Sequence, residues 1–66
     1  SSKDFIAKLA IAEEECDETI FWLEMISEAN LALNEVTHPL KQEAAEILAI
    51  IVSSIKTAKK NLDKQS

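Results

Sequence analysis

The side chains able to do chemistry here are carboxylates, and they are crowded. Glu13, Glu14, Glu15, Asp17 and Glu18 fall in one short run. On a helix Glu14 and Asp17 lie one turn apart, as do Glu15 and Glu18. Glu43 and Glu46 repeat the step further along. Carboxylates so spaced can share a magnesium ion, because that cation takes hard oxygen ligands and bridges them to a phosphate. Glu35 and His38 form the Glu-x-x-His step that holds metals in helical-bundle cores. Such steps sit mid-helix and face inward. This pair precedes Pro39 at a helix start, so a capping or solvent role is expected. The chain has one His and one Cys, far apart in sequence, so no nucleophile and base can be paired. Gly is absent, which leaves no phosphate-cradling loop. No catalytic residue, metal or cofactor is expected.

The magnesium reading has a known parallel. Paired acidic steps on facing helices hold magnesium in all-α nucleotide pyrophosphatases of the MazG-like group, and the steps above resemble theirs weakly. Most of these acids point away from the apolar stripe of their helix. A solvated acidic face is the expectation, with Glu13 bordering the stripe. Magnesium-dependent phosphate release from nucleotides would discriminate in favour of the enzyme.

The elements that carry these residues are helices. The chain has 66 residues, one Pro and 47% hydrophobic side chains, with Ala, Glu, Lys, Leu and Ile abundant. This argues against disorder and supplies no β-hairpin turns. The formal net charge is −5, and all seven basic residues are Lys. Without Arg or a basic face, nucleic-acid binding by this chain alone is not expected. No apolar run reaches the roughly 20 residues of a membrane span, and no secretory signal is visible. Cys16 lies on an apolar stripe and is expected to be a buried free thiol, which fits a reducing, cytoplasmic setting.

Ser1 or Ser2 can cap a first helix over about 3–30, with Asp4 at its positive end. Its stripe is Phe5, Leu9, Ala12, Cys16, Thr19, Leu23 and Ile26, widened by Ile6 and Ile20. Asn30 to Val36 is the expected connection, with Leu31 and Leu33 tucked under the hairpin end. Thr37 is the expected cap of a second helix over about 38–62, with Pro39 in its first turn. The second stripe is Leu40, Ala44, Ile47, Leu48, Ile51, Ile55, Ala58 and Leu62. Phe5, Leu9, Cys16, Leu23, Ile51 and Ile55 are expected inside.

The fold class is therefore all-α, a single antiparallel helical hairpin spanning 1–66. Both helices carry more apolar residues than one seam can use. Phe21, Trp22 and Met25 fall on another side of the first helix, and Ile50 and Val52 flank the second. These five are the expected interface for a second hairpin. The hairpin then forms half of a four-helix bundle, by self-association or with further helices of the same protein.

A family resemblance points the same way. Ser2, Asp4, Phe5, Ile6, Lys8, Leu9, Ile11 and Ala12, then Glu18-Thr19 and Trp22-Leu23-Glu24, make a recognisable order. Ile47-Leu48 and the run Ser53 to Lys59 continue it. Together they resemble the bacterial four-helix-bundle proteins encoded in 23S rRNA intervening sequences, over residues 1–62. The match covers the last two long helices of that family. It implies a helical pair preceding this one, a compact bundle that can assemble into homo-oligomeric rings, and no catalytic residues. A third reading, an RNA- or ribosome-associated factor, requires partners or the preceding helical pair to supply positive charge. The leading expectation is a non-enzymatic helical interaction module.

Overall fold

A computed structural model describes residues 1–65. Two helices run antiparallel as a hairpin: α1, Ser2–Glu28, and α2, Asn34–Gln65. The pair is a rod of 51 × 15 × 12 Å. Among the described residues there is no third element, so their only interior is the line where the two helices touch.

Ser1 starts α1 as expected. Its hydroxyl accepts from the Asp4 backbone N–H at 3.3 Å, and Asp4 lies in the positive first turn. The end of α1 is set by Asn30, whose φ of 59° is left-handed. Asn30 N–H donates to Ser27 C=O at 3.1 Å, and Leu31 N–H donates to Ile26 C=O at 3.0 Å. This crossed pair of bonds is the Schellman arrangement, with Asn where glycine is commoner. The turn then closes through Ser27 Oγ, which donates to Asn34 Oδ1.

The second helix starts four residues earlier than the sequence suggests. Val36 and Thr37 N–H both donate to Leu33 C=O, at 2.9 and 3.1 Å, so the first turn is already closed before His38. Thr37 is thus not a cap. It lies inside the helix, 2% exposed, with its hydroxyl donating weakly to Leu33 C=O at 3.5 Å. Pro39 falls beyond the first turn. Its missing N–H cannot donate to the Glu35 carbonyl, and both residues are exposed. The helix likewise continues past Leu62, to Gln65. Leu31 and Leu33 do not tuck under the hairpin end. They are 78% and 68% exposed, because two helices alone offer nothing to tuck beneath.

The seam itself is narrow. Among the described residues only Thr37 and Ala44 are buried. Half-buried residues mark the rest of the line: Ile6, Leu9, Glu13, Cys16, Ile20 and Leu23 on α1, and Lys41, Leu48, Ile51, Ile55, Ala58 and Leu62 on α2, with Ala12, Ile26 and Ser54 half-buried along one margin. Phe5 and Thr19 were expected in it and are exposed, as are Leu40 and Ile47. The apolar stripe on each helix is wider than one helix–helix contact, and the pair meets along only one edge of it. Ile6 and Ile20 take the places assigned to Phe5 and Thr19. Across the seam Cys16 Sγ donates to the Ala44 carbonyl at 3.1 Å. The thiol is free and half-buried.

Candidate functional site

The carboxylates do not gather. Glu14, Glu15, Asp17 and Glu18 are all exposed, and so are Glu43 and Glu46. Glu13 alone is half-buried, beside Ile55, Lys56 and Lys59. Glu18 Oε1 accepts from the Trp22 indole N–H at 3.5 Å, along one helix. Glu35 and His38 lie exposed in the opening turns of α2. Among the described residues no three of His, Cys, Asp and Glu come together to hold a metal ion. No helix among them is long and apolar enough to cross a membrane.

The feature the fold does build is an uncovered apolar surface. Residues seven apart lie two turns apart and so share one side of a helix. Phe5, Ala12, Thr19 and Ile26 form such a line on α1. Leu40, Ile47, Ser54 and Asn61 form one on α2. The two lines flank the seam on the same side of the hairpin. Phe5 stands against Ser54, Thr57, Ala58 and Asn61. Thr19 and Leu23 share a shallow groove with Leu40, Glu43, Ala44 and Ile47. No residue of either line is charged.

The opposite side has the other character. There the matching lines are Lys3, Ala10, Asp17 and Glu24 on α1, and His38, Ala45, Val52 and Lys59 on α2. Glu13, Val52, Lys56 and Lys59 line its shallow groove. The hairpin is thus two-faced across its seam.

The five residues expected at an interface are all exposed, but they do not form one surface. Phe21, Trp22 and Met25 are 51%, 54% and 44% exposed on the outer edge of α1. The two rings meet edge to face, with centroids 5.2 Å apart. Ile50 is 65% exposed on α2. Val52 is on the charged side. Sequence reasoning passed over Phe5, Leu40 and Ile47 as members of an open face, having placed them in the core. Their step of seven was the available signal.

The chain leaves much surface in water. It exposes 5190 Å². A folded monomer of its 7.3 kDa mass exposes about 4,200 Å² by the usual scaling of area with mass. No family model, curated protein or solved structure matches the chain.

Proposed function

We propose that this chain is a non-enzymatic helical interaction module, half of a four-helix bundle, whose apolar face is covered by another helical pair. In this it resembles the 23S rRNA intervening-sequence bundle proteins. The observation that carries the reading is the largely apolar face holding Phe5, Ile26, Leu40 and Ile47, together with the exposed Trp22 and Ile50. Apolar patches this extensive are sites of protein contact. A half-buried thiol at Cys16 suits a reducing cytoplasm. The outward-facing acids support a nucleotide hydrolase less well, since no pair of their steps converges across the seam.

Circular dichroism at 222 nm tests the reading through the dilute chain. At about 0.5 µM an uncovered hairpin is expected to lose much of its helix and to melt broadly. A sharp, cooperative melt at that dilution, with a midpoint unchanged at 200 µM, contradicts the need for a cover.

A further inference from the structure

We infer that the cover is a second copy of this chain, laid face to face with both loops at the same end, so that α1 of each copy lies over α2 of the other. The inference rests on the interaction-module reading and names its partner. Area comes first. The chain exposes about 1,000 Å² more than a folded monomer of its mass. A standard protein–protein interface takes about 800 Å² from each side. One matching face of that size removes most of the excess.

Charge then favours a copy of the same face. The chain carries a net charge of −5, which opposes self-association unless the contact avoids the acids. The central lines of the face carry none of them: Phe5, Thr19 and Ile26 on one helix, Leu40 and Ile47 on the other, while Glu43 lines the groove beside them and is exposed. Glu14, Glu15, Asp17, Glu18 and Glu24 are exposed and lie outside those lines.

The arrangement follows from the same two quantities. In α1 two Lys stand against eight acids, and in α2 five Lys stand against four. A two-fold axis across the rod would lay α1 on its own copy, acid against acid. A two-fold axis along the rod lays α1 on α2, and like charges separate. The apolar residues agree. Ile26, Leu40 and Ile47 occupy the loop half of the face, while Ser54 and Asn61 occupy the other half. The arrangement with loops together stacks Ile26, Leu40 and Ile47 on their own copies and leaves Phe5 beside Ser54 and Asn61 at the other end.

Sedimentation equilibrium from 5 to 200 µM, with a spin-label distance, tests this. The expected mass is two chains of 7.3 kDa each. Labels on Leu31→Cys, in a Cys16→Ala background, are expected within about 25 Å of each other, two helix diameters. Loops at opposite ends would place them near the 51 Å rod length and overturn the arrangement. Ile47→Lys, a change at a side chain outside the seam, is expected to give single chains. Ile11→Lys, on the outer back of α1 and 60% exposed, is expected to remain paired. The reverse pattern overturns the face. A single-chain mass with helix lost on dilution removes the second copy and leaves the module reading. A single-chain mass with a concentration-independent cooperative melt removes both.

Discussion

Asn30 decides where the first helix stops. Its φ of 59° puts a Cβ in the left-handed region, which costs a typical L-residue roughly 1–2 kcal/mol and Asn less. Asn30→Ala should therefore lower stability by about 1 kcal/mol, while Asn30→Gly should hold or raise it. Urea midpoints of the assembled protein check both. An alanine variant as stable as the parent would mean that the crossed hydrogen bonds at Ser27 and Ile26 do not hold the turn. The acids give the opposite lesson. Glu15 and Glu18 have the spacing of cation ligands but face water, because spacing along one helix does not supply ligands from a second.

The two helices were legible because their stripes, caps and turn residues agree. Ser1 and Asn30 do what their types suggest. The start of α2 was misread at Thr37. A Thr before a His-Pro pair looks like a cap, yet Leu33 accepts the first backbone bonds and carries the helix through Thr37 to Pro39. The seam was misread by one line. Phe5 and Ile6 are both apolar neighbours, and periodicity alone does not say which of them faces the partner helix. What settles it is the close approach at Ala44, where a small side chain lets the Ala44 carbonyl reach Cys16. Ala44→Leu should push the helices apart and cost about 1–3 kcal/mol. Ile47→Leu, one turn on but outside the seam, should cost less than half as much. Thermal melts at matched concentration distinguish them, and equal losses would mean the seam is not where Ala44 places it.

The whole molecule is a rod with one dry-natured side and one charged side. The sequence showed that two helices carried too much apolar surface for each other. It did not show which residues share the surplus side, because Trp22 and Met25 catch the eye while Phe5, Leu40 and Ile47 look like core. The lone hairpin leaves those three 55%, 47% and 47% exposed, and its stability is tied to whatever covers them. Hydroxyl-radical footprinting read by mass spectrometry addresses this directly, comparing the parent at 200 µM with the Ile47→Lys variant. Phe5 oxidation is expected to fall several-fold in the parent, while Ile11 is oxidised equally in both. Equal oxidation of Phe5 in the two samples would show that the apolar face stays wet in the assembled protein, and would contradict the account.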